Sequence, residues 1–201
     1  MSEATIPDWI NAIAAAVGAI AVIVGLFGAK STLDANRRSA RELRRSQVAE
    51  ELLALAHNVD DALRDIRNPF DSIPKDKAGD RFYGYQKRYE RVANYNDLFK
   101  ALRDAQIRVR AVIGDQEIDH AVETLFKARH RVAAAIEGLA EYARDDVDQS
   151  DPEIRTLLKE WRTELYGSYS ARDEFGKEIL AAVKTIENGL NPVARLEAST
   201  Q

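Results

Sequence analysis

The sequence predicts an all-α protein in which an N-terminal transmembrane helix is followed by an antiparallel four-helix bundle. Three observations predict it. Residues 9–29, WINAIAAAVGAIAVIVGLFGA, carry no charge. Apolar residues then recur at helical spacing through four segments, and the connections between those segments are short, which favours antiparallel neighbours. The chain divides on this reading into a short extracytoplasmic N-terminus (1–8), the span (9–29), a basic juxtamembrane helix (30–47), a cytoplasmic helical bundle (48–190) and a frayed tail (191–201).

At 1.5 Å per residue the span is about 31 Å long, which matches a hydrocarbon core of about 30 Å. Nine of its residues are Ile, Val, Leu or Phe. At mid-membrane these favour insertion by about 3 to 5 kcal/mol before polar costs. The competing reading is a helix buried in a soluble bundle, but such a helix normally shows a polar face and no face here is polar over the full length. A cleaved secretory signal fits poorly: Glu3 and Asp8 precede the apolar run with no Lys or Arg, and Phe27 and Gly28 make a poor small-x-small cleavage site.

The flanks set the orientation. Lys30, Arg37, Arg38, Arg41, Arg44 and Arg45 follow the span, opposed only by Asp34 and Glu42, while the preceding flank is acidic. Lys and Arg collect on the cytoplasmic side, so the N-terminus is expected outside and the C-terminal domain inside the inner (plasma) membrane, with Trp9 at the outer interface. The same six cations are the candidate contacts to anionic lipid headgroups, each worth about 1 kcal/mol near the surface. An ordinary topology signal would use the same residues.

Within the span, Asn11, Ala14, Gly18, Ala21, Gly25 and Gly28 recur at alternating steps of three and four, beside a bulky stripe of Ile13, Val17, Ile20, Val24 and Phe27. A small-residue seam lets helix backbones approach closely in lipid, where no hydrophobic drive brings helices together, and the Asn11 amide can hydrogen-bond across it. The seam is therefore the candidate packing surface for a second copy. The rival reading is that Ala and Gly are simply frequent in membrane helices.

Residues 30–67 contain no Gly or Pro, so the anchor is expected to run on as one helix. Up to Gln47 only Leu33 and Leu43 are sizeable apolar residues. From Val48, the positions Leu52, Leu55, Val59, Leu63 and Ile66 form a stripe. A cationic stalk thus leads into a bundle helix that Asn68 and Pro69 stop. Asn68-Pro69-Phe70 matches a short adaptor-binding tripeptide, but at a helix end it reads as punctuation.

After a loop at 69–79, a second helix is expected from Asp80 to Ile113, with Phe82, Tyr85, Tyr89, Val92, Tyr95, Phe99, Leu102, Val109 and Val112 apolar and Gly114 as the breaker. Its tyrosines read as core residues with hydroxyls at the rim, or as an aromatic groove. Asp115 is a good N-cap for a third helix to Arg144. In that helix Ile118, Val122, Leu125, Val132, Ile136 and Leu139 keep a seven-residue rhythm broken only by Arg129. Arg129 either snorkels along its stem or meets an acid from another helix. An acidic turn at 145–151 ends in Asp151-Pro152, a cap followed by Pro at the first helical position. A fourth helix is then expected to Asn188, with Ile154, Leu158, Trp161, Leu165, Phe175, Ile179, Val183 and Ile186 inward. Gly167 would bend it, and Gly189, Asn191 and Pro192 would end it.

Composition excludes more than it assigns. There is no Cys, hence no disulfide, thiolate zinc site or cysteine nucleophile. The net charge of -4, with acids and bases interleaved, argues against nucleic acid as a partner. Glu117 and His120 supply half of a di-iron Glu-x-x-His pattern, and no second copy accompanies them. His57, His120 and His130 lack metal-ligand spacing, and neither a phosphate loop nor a nucleophile elbow is present. No enzyme activity and no cofactor are implied.

The run Asp-Trp-Ile-Asn-Ala-Ile-Ala-Ala-Ala at 8–16, the short acidic N-terminus, the single span and the basic helical run resemble uncharacterised bacterial single-pass membrane proteins with a cytoplasmic helical domain. The likeness is compositional and covers about the first 60 residues. Some proteins of that general build act as inner-membrane components of signalling or anti-phage systems, a role that no motif here assigns. The expected function is a membrane-anchored interaction or sensing module that contacts membrane lipids, forms a homo-oligomer through its span and recruits a protein partner. The competing class is an effector whose assembled spans perturb the bilayer.

Overall fold

The computed structural model describes residues 6–70, 72–80, 82–144, 151–167 and 173–196; within 6–27, side chains are described only for Ala15, Gly18, Val22 and Leu26. All described regular structure is helical. The elements are α1 (Ile6–Ile66), a 3-10 turn (Lys75–Lys77), α2 (Tyr83–Asn94), α3 (Asn96–Val112), α4 (Gln116–Arg144), α5 (Pro152–Leu165) and α6 (Glu174–Ala194). The chain forms two compact units, Met1–Arg44 and Arg45–Gln201.

In the first unit the backbone is helical from Ile6 onward. The Thr32 hydroxyl bonds back to the Gly28 carbonyl at 3.0 Å, the local partner a threonine finds inside a helix. Among the described residues no helix is long and apolar enough to cross a membrane. The expected span at 9–29 lies, for most of its side chains, outside the described residues.

The second unit is a ring of four antiparallel limbs, and the pairing of named residues fixes its topology. The first limb is the part of α1 from Ser46 to Ile66. Arg91 of α2 donates to the Asp65 carbonyl, while Arg108 of α3 pairs with Glu51, so the chain runs back along α1. Arg110 pairs with Asp119 across the Gly114 turn, and Arg129 bonds Asn96 further along, so α4 is antiparallel to α3. Gly138 meets Trp161 and Gly189 meets Ile118, which runs α5 and α6 back along α4. The ring closes where Ser46 Oγ donates to Ala194 O (2.8 Å), His57 meets Glu187 (3.0 Å) and Arg67 meets Asp173 (2.8 Å).

The core is the apolar stripe of each limb. Leu52, Val59, Leu63 and Ile66 of α1 are buried, as are Val92, Phe99, Leu102 and Val109 of α2 and α3. All six seam residues of α4 are buried, with Leu158, Leu165, Phe175, Ile179, Val183 and Ile186 opposite them. Expected caps form: Asp115 Oδ1 accepts from Glu117 N (2.8 Å) and Ile118 N (3.2 Å), and Asp151 Oδ1 accepts from Glu153 N (2.8 Å). Gly114 has φ +75°, the left-handed geometry that glycine adopts freely at a helix end.

Two expected continuities fail. The second helix breaks at Tyr95 (φ -93°, ψ 9°). Asn94 and Asn96, weak helix formers whose amides compete for backbone partners, flank the break, and the Tyr95 hydroxyl donates to Asp65 at 3.0 Å. The fourth helix is not merely bent at Gly167. It ends at Leu165, and α6 starts afresh on Asp173, whose carboxylate accepts from Gly176 N.

Gly189, Asn191 and Pro192 do not end α6, which continues to Ala194 with Pro192 inside it. Val193 and Ala194 pack on the core and Ser46 caps the Ala194 carbonyl, so tertiary contacts carry the helix past the proline. Gly189 is a close-approach residue: a Cβ there would stand 2.9 Å from the Ile118 side chain.

Among the described residues Arg129 meets no acid. Its guanidinium lies 4.6 Å over the Phe99 ring and bonds the Asn96 amide oxygen, while Nε is buried without a partner among the described residues. Burial pushes its pKa down from the usual arginine value. Its stem leaves the seam and the cation rests on an aromatic face.

Two outcomes test this packing. A Cβ on Gly138 would stand 2.6 Å from the Trp161 ring, so Gly138→Ala displaces the indole from α4 and from Tyr142 (centroids 5.5 Å apart). Overpacking costs about 1–3 kcal/mol, against about 1 kcal/mol gained from alanine's helix propensity. Urea unfolding is expected to show a net loss, with a shift in tryptophan fluorescence.

The second outcome concerns acid. Burial raises the Asp119 carboxyl, but hydrogen bonds from Arg110 and Gln106 outweigh it and hold the pKa below the usual value; the hydrogen bond from Arg103 lowers that of Glu123. Depressed carboxyls contribute stability that is present above their unfolded pKa and lost as pH falls through the folded one. The stability gap between the wild type and Asp119→Asn, measured by urea unfolding, is expected to be open at pH 6 and to close as pH falls below about 4.

Candidate functional site

The sequence places its two candidate surfaces on α1. By helical register, at about 100° per residue, the seam positions Asn11, Ala14, Gly18, Ala21, Gly25 and Gly28 project onto an arc of about 100°. Lys30, Arg37, Arg38, Arg41 and Arg44 project onto an arc of about 120° on the opposite side of the helix. Sequence spacing alone creates this opposition, and a helix that is continuous through both stretches preserves it.

Gly18 and Gly28 are exposed, and nothing lies within 4 Å of where a Cβ would stand on either. The side chains of Asn11, Ala14, Ala21 and Gly25 lie outside the described residues. Val22 and Leu26 are 63% and 66% exposed. Leu33 and Leu43 continue this exposure on the stalk at 57% and 55%. Together with Asn36 and Ala40 they keep three–four spacing.

Lys30, Arg37, Arg38, Arg41 and Arg44 are all exposed, and among the described residues none of them makes an ion pair. Arg45, the first residue of the second unit, is exposed too. Five cations on one face with one acid, Asp34, inside the arc form a surface for anionic oxygens. Guanidinium groups bind such oxygens in a forked geometry.

The bundle offers little reaction chemistry. Among the described residues no group of His, Asp and Glu could hold a metal ion. His57, His120 and His130 are exposed. The titratable groups that are held together form structural networks. Gln106, 2% exposed, donates to Asp119 Oδ1 (2.8 Å) and Glu123 Oε1 (3.0 Å), while Arg103 grips both Gln106 and Glu123. Tyr83, Tyr85 and Tyr95 are half-buried, and burial raises the Tyr85 and Tyr95 hydroxyl pKa values. Tyr89 is 47% exposed. Phe70 of the Asn-Pro-Phe run is 84% exposed, and Asn68 Oδ1 accepts from Phe70 N (2.9 Å), an Asx turn that stops the helix.

Sequence reading missed Arg67. As the last residue of a charged helix it had the signature of a solvated terminus, yet it is 5% exposed and holds three segments together. The available signal was weak: Phe175 and Asp173, which it contacts, lie more than 100 positions away, beyond the reach of local periodicity.

No protein-family model, no curated protein and no solved structure matches the chain, so the candidate surfaces stand on their own geometry and charge.

Proposed function

We propose that the chain is a membrane-anchored helical module with its N-terminus outside and its bundle in the cytoplasm, which oligomerises through its span and recruits a protein partner. The observation that carries this reading is the continuity of α1: an uncharged stretch of about one membrane thickness runs without a break into a face of exposed cations. Residues 9–29 have the length and apolarity of one crossing, and the cations that follow fit the cytoplasmic headgroup layer.

The opposition of seam and cationic arc supports oligomerisation. Helices that meet through Gly18 and its neighbours turn their arginines outward to anionic lipid and avoid crowding like charges at the contact. The exposed stripe of Leu33, Asn36, Ala40 and Leu43 extends the same kind of contact into the stalk. A lone Asn in such a stripe sets register.

Three measurements test this. The intact protein should resist alkaline carbonate extraction. Cross-linked oligomers should fall several-fold in the Gly18→Ile, Gly25→Ile double variant, because two β-branched side chains hold the backbones apart. Residues 1–45 alone should leave dye-loaded vesicles intact. Release by carbonate would refute the anchor, and unchanged cross-linking would refute the seam. Dye leakage from the fragment would favour the membrane-perturbing effector instead.

A further inference from the structure

The stalk of α1 is sorted by charge at a period of seven. Leu26, Ala29, Leu33, Asn36, Ala40 and Leu43 recur at alternating steps of three and four, and all six are exposed. The flank that follows this stripe holds Lys30, Arg37 and Arg44, each seven residues from the next, and the flank that precedes it holds Gly25, Thr32 and Ser39. Asp34, Arg38, Arg41 and Glu42 lie farther round, so no charge between residues 30 and 44 falls on the stripe or on its preceding flank. That is the pattern of a parallel two-stranded coil. In a parallel pair each helix sets its cationic flank against the Thr32 and Ser39 flank of the other. An antiparallel pair would set arginine against arginine. Asn36, the single carboxamide on the stripe, fixes the register.

The stripe is out of phase with the seam of the span. Leu26 follows Gly25 and Ala29 follows Gly28, and one residue turns a helix by about 100°. α1 is helical through both stretches, and residues 30–44 hold no Gly or Pro that would supply a kink to realign them. The crossing angle adds to the mismatch. Close contacts through small residues commonly cross at about -40°, and two straight helices that cross in this way at Gly25 are about 20 Å apart at Leu43.

We propose that the stalk binds the stalk of a second copy as a parallel, in-register pair through Leu33, Asn36, Ala40 and Leu43, and that this contact and the contact through Gly18 and Gly25 exclude each other within one pair of helices. The pair then has two states that differ by a rotation of each helix of about 100°. One is closed at the span and open at the stalk, and the other is the reverse. Whatever strengthens one contact weakens the other, because both draw on one population. The switch rests on the oligomeric reading above and adds to it the face, direction and register of the stalk contact.

The chain has no cysteine, so single cysteines in the full-length protein, oxidised in the membranes of the expressing cell, report one position each. A disulfide between identical positions needs their Cβ atoms close together, which along several positions only a parallel, in-register pair provides. Leu33→Cys, Asn36→Cys, Ala40→Cys and Leu43→Cys are expected to give at least about fivefold more cross-linked dimer than Ala35→Cys, Arg38→Cys and Glu42→Cys. Asn36→Leu with Ala40→Leu, which enriches the stripe in leucine, should lower cross-linking at Gly25→Cys several-fold. Maxima at Thr32, Ala35, Ser39 and Glu42 would mean that the phase of the seam runs on through the stalk, and would overturn the proposal, as would equal cross-linking at every position. Unchanged cross-linking at Gly25→Cys in the leucine variant would overturn the exclusion. So would a ladder of products larger than dimers from the Gly25→Cys, Leu33→Cys double variant, since one helix would then use both faces at once. Cross-linking at Gly18→Cys and Gly25→Cys with none in the stalk would sink the switch and leave the oligomer standing; none at either would sink both.

Discussion

Burial of the α4 seam is the constraint on which the second unit depends. Ile118, Val122, Leu125, Val132, Ile136 and Leu139 face the core, and α4 packs against α2, α3, α5 and α6. A helix can serve neighbours on several sides only if each approaches without displacing another. Gly138 and Gly189 make two of those approaches possible, one by admitting the Trp161 ring against the α4 backbone and the other by admitting Ile118 against α6. Breaks at Tyr95 and after Leu165 let each outer limb follow this central helix as two shorter straight pieces.

Arginine is used here as packing material as much as charge. Phe175 receives Arg67 at 4.7 Å and Arg131 at 4.1 Å, Phe126 receives Arg103 at 3.8 Å, and Tyr166 receives Arg88 at 4.8 Å. A planar, weakly hydrated guanidinium can lie on an aromatic ring and still donate at its edge, which an ammonium does less well. Arg88 does both: it is 4% exposed and donates to the Asn68 carbonyl at 2.8 Å, holding the end of the first limb. In a chain where 31% of residues are charged, this lets long cationic side chains close the core's margin.

Local features were legible because local chemistry decides them. Asp115 and Asp151 cap as their sequence context implies, since the capping partners are two or three residues away. The α4 rhythm was legible because a helix buries whatever recurs at its own period. The stop at Asn68 and the positive φ of Gly114 belong with them. Pro192 shows the limit of such rules. Its local signal is a helix end, yet distant partners, Ser46 at the Ala194 carbonyl and the core beneath Val193, hold the chain helical past it.

By itself the sequence determined that the chain is helical, where α4 and α5 start, which faces are apolar, and that the seam and the cations of α1 fall on opposite sides. All of these follow from spacing along the backbone. Only the tertiary structure decided that the limbs close into a ring and that Gly189 is a contact rather than a terminus. It alone placed Arg67 in the interior against Asp173 and Phe175. Those outcomes depend on residues far apart in sequence meeting in space, and no local pattern encodes which distant partner will satisfy a buried donor.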